Sequence, residues 1–226
     1  RNMENERKRK KRGLCRLVFW FYIAAGLCCF LYGAGSFLLE RLAGRQTAYA
    51  VEYAVEDTIA ENREILQGLL PERWKYIADA EKLEILQQAA NTEANYLGIR
   101  KPLSVTIADL EEGTLGRYVL EDHEIQIDTE HVKNSPVQEV LGTICHEAYH
   151  GYQIAMVEAF HEVETEKQAL LLFREAEIYR EELIQYRKGE EDYVGYYNQK
   201  LERDARAYSR SAVKDWYEKL ECKTLE

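Results

Sequence analysis

An uncharged apolar run of 23 residues, from Leu17 to Leu39, constrains this chain more than any other feature. A helix that rises about 1.5 Å per residue makes this run long enough to cross a hydrocarbon core of roughly 30 Å. Residues 1–39 carry eight Lys and Arg residues but only two acidic ones, and all eight cations precede the run. Positive flanks stay in the cytoplasm. The sequence therefore predicts a basic cytoplasmic tail at 1–16 and a transmembrane signal anchor at 17–39.

A cleaved signal peptide is the competing interpretation, with Ala48-Tyr49-Ala50 as its cleavage site. The apolar region of a signal peptide usually has 7–15 residues and lies close to that site. Here the run is longer, and the site lies about ten residues beyond it. These two differences favour an uncleaved anchor in the lipid bilayer. The remainder of the chain is then expected outside the cytoplasm, as in a single-pass protein of a bacterial cell membrane.

Residues 40–226 are strongly acidic, with 22 Lys and Arg against 38 Asp and Glu. An acidic surface repels phosphate backbones, so nucleic acid is not an expected partner. This length suits one domain with a single core. Only Cys145 and Cys222 follow the apolar run, which excludes a disulfide framework and a Cys-rich metal site.

The periodicity of the apolar residues predicts an α+β domain that is predominantly helical. Helical spacing over 40–100 predicts a stalk and N-terminal helices, which end before Gly98 and Pro102. Alternating residues then predict a small antiparallel sheet with strands at 103–107, 114–120 and 124–128. Further helices are predicted from Pro136, with Ser135 in a capping box, and over about 162–188 and 192–220, the last with Asp192 as its N-cap.

The predicted helix after Pro136 contains the sequence His146-Glu147-Ala148-Tyr149-His150, which is an HExxH motif. Residues four apart lie on one helix face, so both imidazoles can bind one metal ion, for which zinc is expected. Glu147 then lies beside the open coordination position as a general base. A buried pair of core histidines is the structural alternative.

A catalytic zinc site needs a third protein ligand. The extended metzincin motif is excluded, because Gln153 and Met156 replace its glycine and histidine. His161 is one candidate, although a lone histidine near a helix end is typical of the surface. Glu202 is another, at the edge of an apolar stripe in the last helix, where a solvated carboxylate is an equally good interpretation.

The segments HEAYH at 146–150 and ERDA at 202–205 resemble the gluzincin branch of the zincin-like metallopeptidases, over about residues 103–212. The resemblance implies a zincin-like core at 101–226, with His146, His150 and Glu202 as zinc ligands and Glu147 as the base. Many relatives have an aspartate where this chain has Arg206. Asp204 can take its orienting role or replace Glu202 as ligand. The resemblance also implies that the edge strand at 114–120 binds extended substrate.

Together these features predict a membrane-anchored zinc metallopeptidase, in which Glu147 accepts a proton from a zinc-activated water that attacks a peptide or protein substrate. The alternative function is a non-catalytic helical scaffold tethered to the membrane, or a degenerate zincin.

Overall fold

The computed structural model describes residues 58–221, and the predicted tail and anchor at 1–39 lie outside this range. Within it, no helix combines the length and the apolar character needed to cross a bilayer. The helices are α1 (Arg63–Leu66), α2 (Pro71–Trp74), α3 (Asp79–Leu97), α4 (Thr129–Asn134), α5 (Val137–Glu162), α6 (Thr165–Gln168), α7 (Arg174–Ile184), α8 (Tyr193–Asn198) and α9 (Lys200–Glu221), with 3-10 turns at Gln67–Leu69 and Leu171–Phe173. The strands are β1 (Ser104–Ala108), β2 (Gly116–Val119) and β3 (Glu124–Asp128). The described domain is thus predominantly helical with one small sheet, as predicted.

The sheet is mixed, so the predicted antiparallel arrangement is wrong. Its strand order is β1-β3-β2, with β1 parallel and β2 antiparallel to β3. Ile125 and Ile127 of β3 are fully buried, as expected for a central strand. The alternation of apolar residues indicates which face of a strand is buried but not which neighbour it pairs with, and β1 joins the free side of β3. This order leaves β2 at an edge of the sheet.

Helix α5 is the central helix of the domain and packs against α3, α7, α9 and β2. It begins after Pro136, close to the predicted start, but the predicted capping box is wrong. Pro136 is itself the N-cap residue, and the Ser135 hydroxyl lies 2.7 Å from Nδ1 of His131. The core side of α5 is apolar over its first half, with Val137, Val140, Leu141, Ile144 and Cys145 all nearly inaccessible.

The two predicted C-terminal helices are each interrupted. The helix predicted over 162–188 is divided into the end of α5, α6, a 3-10 turn and α7. The chain turns after α5, and Phe173 packs edge-on against Phe160 at 5.9 Å between ring centroids. Asp192 accepts a hydrogen bond from the Gly195 N–H and caps α8, as predicted. Gln199 has an extended conformation and separates α8 from α9. The last helix therefore starts at Lys200 rather than at 192.

Candidate metal centre

His146 and His150 lie one turn apart on α5, with their rings edge to face and 4.7 Å between centroids. The two Nε2 atoms are 3.1 Å apart, and each side chain is 17% exposed. Neutral imidazole nitrogens at this separation either share a proton or face a common cation. The helix thus presents both nitrogens to one point, as the spacing of the motif predicts.

Glu202 reaches the same point from the first turn of α9. Its Oε2 lies 3.4 Å from Nε2 of His146, and its Oε1 lies 3.5 Å from Nε2 of His150. The start of α9 is held by Glu182 of α7, whose two carboxylate oxygens accept the backbone N–H groups of Lys200 and Leu201 at 2.8 Å. This cap satisfies donors that a helix N-terminus otherwise leaves open, and it fixes the turn that carries Glu202.

His146, His150 and Glu202 form a group that could hold a metal ion, since one ligand atom from each lies within 4.8 Å of the others. Oε2 of Glu202 is buried and has no hydrogen-bond partner. Its neighbours lie at ion-pair distance, Nε2 of His146 at 3.4 Å and Nη1 of Arg206 at 3.7 Å, so this oxygen lacks the hydrogen bond that a buried carboxylate oxygen normally has. A cation bound between the three side chains would satisfy it, so the residues fit a metal ion.

Glu202 is anionic despite being only 1% exposed. Burial by itself raises its pKa, but the imidazoles of His146 and His150 and the Tyr186 hydroxyl outweigh it and lower the pKa to about 2. A metal ligand must be deprotonated, and this carboxylate already is at neutral pH.

Glu147 lies next to this group and is 7% exposed. Burial raises its pKa to about 7, helped by the charge of Glu202, while His150 and the backbone N–H of Tyr118 act in the opposite direction. A carboxyl group with a pKa near neutrality is suited to accept and return a proton.

Strand β2 contacts Glu147 because the strand lies unusually close to α5. A Cβ atom at Gly116 would lie 2.5 Å from the methyl carbon of Thr143 and 3.2 Å from the Gln126 carbonyl. Only glycine fits there. The edge strand and Glu147 are therefore neighbours.

Two further residues contact Glu202, and the sequence does not indicate the contact that either of them makes. Tyr186, just after α7, donates a 2.6 Å hydrogen bond to Oε1 of Glu202. Arg206 places Nη1 3.7 Å from Oε2 of Glu202, and its guanidinium lies 3.8 Å from the centre of the Tyr197 ring. The chain has 16 tyrosines, and only the tertiary structure distinguishes Tyr186 among them.

The alternative third ligands lie elsewhere. Asp204 accepts a hydrogen bond from the Tyr179 hydroxyl at 2.8 Å and pairs with Lys200 at 2.5 Å. His161 is exposed in the last turn of α5. The group brought together contains Glu202 and neither of these two.

Comparisons with known proteins give no further indication of function. No protein-family model, no curated protein and no solved structure matches this chain. The resemblance to gluzincins therefore stays a prediction, and the side chains themselves carry the functional argument.

Proposed function

We propose that the chain is a zinc metallopeptidase anchored to the membrane through residues 17–39. The observation that carries this proposal is the geometry of the group formed by His146, His150 and Glu202. Tetrahedral zinc with bonds of about 2.0–2.1 Å has ligand atoms about 3.3 Å apart. Here the two Nε2 atoms are 3.1 Å apart, and they lie 3.4 and 3.5 Å from different oxygens of Glu202, so both carboxylate oxygens face the point on which the imidazoles converge.

The donor set supports a catalytic rather than a structural site. Structural zinc sites use four protein ligands, whereas catalytic sites use three, commonly two histidines and a glutamate, and leave one position open. When bound, zinc supplies a Lewis acid that polarises a carbonyl and makes water a nucleophile at neutral pH.

Glu147 supplies the proton transfers in this proposal. Its carboxylate accepts the proton of the attacking water and returns it to the leaving amine. The Tyr118 N–H orients it from the edge strand. The Tyr186 hydroxyl, already within hydrogen-bond distance of Glu202, is a neutral donor available to the oxygen of the substrate carbonyl.

Strand β2 supports a peptide substrate. It is an edge strand, and it lies beside Glu147. An extended peptide can add to such an edge through main-chain hydrogen bonds, which accept many sequences. The proposed substrate class is accordingly an extended segment of a peptide or protein.

Metal content is the first test. The purified full chain, produced in zinc-replete medium, should contain one zinc ion per molecule by elemental analysis. A folded protein that contains no zinc and binds none on titration contradicts the proposal.

Glu147→Gln is the second test. It should retain zinc and lose turnover by about 10²–10⁴-fold on any peptide that the parent cleaves, because Gln cannot accept the proton. Glu162→Gln, at the exposed end of the same helix, is the matched control and should behave as the parent. Full turnover by Glu147→Gln contradicts the assigned role, whereas zinc without turnover in the parent favours the non-catalytic alternative.

Topology requires a separate test, because the anchor rests on sequence alone. A reporter fused after Glu226 should be active outside the cytoplasm, and acidic residues at positions 8–12 should weaken or reverse insertion. A cytoplasmic reporter contradicts the localisation but leaves the zinc chemistry untouched.

A further inference from the structure

Gln153 is a completely buried amide, three residues after His150 on α5. Its Oε1 lies 2.8 Å from Nδ1 of His150, and its Nε2 donates a 2.9 Å hydrogen bond to the Leu201 carbonyl on α9. One side chain thus contacts a candidate ligand on one helix and the residue before another candidate ligand, Glu202, on the second helix.

The hydrogen bond to Leu201 fixes the direction of the amide. A carbonyl oxygen can only accept, so the NH₂ group of Gln153 must face Leu201. The amide oxygen of Gln153 must then face His150, and an amide oxygen also only accepts. His150 therefore carries its proton on Nδ1, and its Nε2 lone pair faces the metal centre.

This protonation pattern is the one that metal binding requires. A ligand histidine normally donates its other ring N–H to a partner, which fixes the tautomer and the orientation of the ring. That partner is often a carboxylate. Here the buried partner is a neutral amide, and the nearby Arg206 cannot serve because a guanidinium has no acceptor.

We propose that Gln153 is the positioning residue of the metal centre. It selects the Nδ1–H tautomer of His150, and through Leu201 it holds the turn of α9 that presents Glu202. The proposal rests on the proposed function only insofar as the centre binds a metal. The tautomer that it requires exists in the metal-free protein as well.

The first experiment measures that tautomer directly. Long-range ¹H–¹⁵N spectra of the metal-free full chain at about pH 8 distinguish Nδ1–H from Nε2–H. His150→Gln assigns the signal. We expect an Nδ1–H tautomer that changes to Nε2–H or to a mixture in Gln153→Met. An Nε2–H tautomer in the parent overturns the proposal without any variant having to fold.

The second experiment measures zinc affinity by competition with a chelator. Gln153→Met keeps the size of the side chain and removes both hydrogen bonds, so affinity should fall about 10–100-fold. Gln87→Met is the matched control. Gln87 bonds the Leu103 carbonyl and the Val105 N–H at 2.8 Å, joining α3 to β1, and touches no ligand. Gln87→Met should leave zinc affinity within about twofold of the parent, a smaller change than removal of a hydrogen-bond partner of a ligand produces.

Gln153→Glu separates positioning from packing. Its carboxylate can still accept the His150 Nδ1–H but cannot donate to the Leu201 carbonyl, so its affinity should lie between those of the parent and Gln153→Met. Equal losses in the Met and Glu variants, or parent-like affinity in Gln153→Met, overturn the proposal while the zinc site stands. A folded parent that binds no zinc instead defeats the proposed function, and the tautomer measurement then still decides the role of Gln153.

Discussion

Glu93 of α3 and Glu202 of α9 are buried to the same extent, each with 1% of its surface exposed. Both lie on helices that pack against α5. Their surroundings nevertheless differ. Each oxygen of Glu93 has its own donor, the Tyr208 hydroxyl at 2.5 Å for Oε2 and the Trp216 indole N–H for Oε1. Glu202 has one bonded oxygen and one buried oxygen without a hydrogen bond.

The pKa values of the two carboxyl groups move in opposite directions. Burial raises the pKa of Glu93, and the two donors oppose it only in part. The pKa of Glu202 falls, because the imidazoles beside it favour the anion more than burial opposes it. Neutral donors that bond both oxygens are typical of a structural carboxylate, whereas a buried oxygen without a hydrogen bond among imidazoles is what the proposed ligand role of Glu202 predicts. Burial alone does not distinguish the two.

The largest difference should appear in zinc binding. Glu202→Gln keeps the shape of the side chain but removes an anionic ligand, so zinc affinity should fall well over 100-fold, beyond the roughly 10–100-fold effect of outer partners. Glu93→Gln should bind zinc like the parent. Chelator competition on the full chain, with folding checked by circular dichroism, measures both. The comparison fails if the two variants lose affinity equally.

Stability should show the reverse order. Glu93→Ala leaves the Trp216 and Tyr208 donors unsatisfied in the core, which should cost about 2–4 kcal/mol of unfolding free energy. In protein from which the metal has been removed by a chelator, Glu202→Ala should lower the unfolding free energy by less, since Tyr186 is 43% exposed and can bond to water instead. Urea unfolding of both variants with chelator present tests this order. A greater loss in Glu202→Ala would contradict it.

The pH dependence of stability should follow from the raised pKa of Glu93. The folded state holds the Glu93 proton at pH values where the unfolded state, with its ordinary pKa of 4.5, has lost it. Its contribution to stability is therefore complete below pH 4.5 and is lost as pH rises through the folded pKa. Glu93→Gln should remove this loss, so the stability difference between variant and parent should shift in favour of the variant as pH rises. Unfolding curves at a series of pH values measure it, and a constant difference would refute it.

The smallest effects should come from the alternative ligands. Asp204→Asn and His161→Ala should leave zinc affinity within a few-fold of the parent. This change is smaller than the loss expected when a hydrogen-bond partner of a ligand is removed. Asp204→Asn should instead weaken the contacts to Lys200 and Tyr179, which thermal unfolding can detect. Loss of zinc in either variant, with Glu202→Gln retaining it, would reverse the ligand assignment.

The sequence predicts those parts of the centre that depend on local geometry. Two histidines four residues apart on a helix must share a face, so the pair at His146 and His150 needs no tertiary information. The apolar stripe of the last helix is confirmed at Leu201, Ala205 and Trp216, and it places Glu202 at its edge. The same helical spacing also predicts Tyr197 as a buried member of the stripe, and this prediction is wrong, because Tyr197 is 45% exposed and precedes the helix.

The remaining parts depend on how distant segments dock. Tyr186 contacts Glu202 only because the end of α7 lies beside the start of α9. Gln153 stands where the metzincin motif has a glycine. Its presence in the sequence excludes the metzincins, but it does not indicate the hydrogen bond that Gln153 makes to the Leu201 carbonyl. The mixed sheet was not predictable for the same reason, since the alternation within β1 does not select β3 over β2 as its neighbour.

The separation of Glu202 from the HExxH helix has a consequence for chain entropy. His150 and Glu202 are about 50 residues apart, and the intervening segment contains three short helices, a 3-10 turn and the large exposed side chains of Leu171 and Ile184. A metal bound to both ends closes this segment into a loop, and the entropy of such a closure grows only slowly with its length. A bound ion would then act as a reversible cross-link, and its binding free energy would add to the stability of the folded state. A higher metal concentration would thus stabilise the packing of α9 on α5.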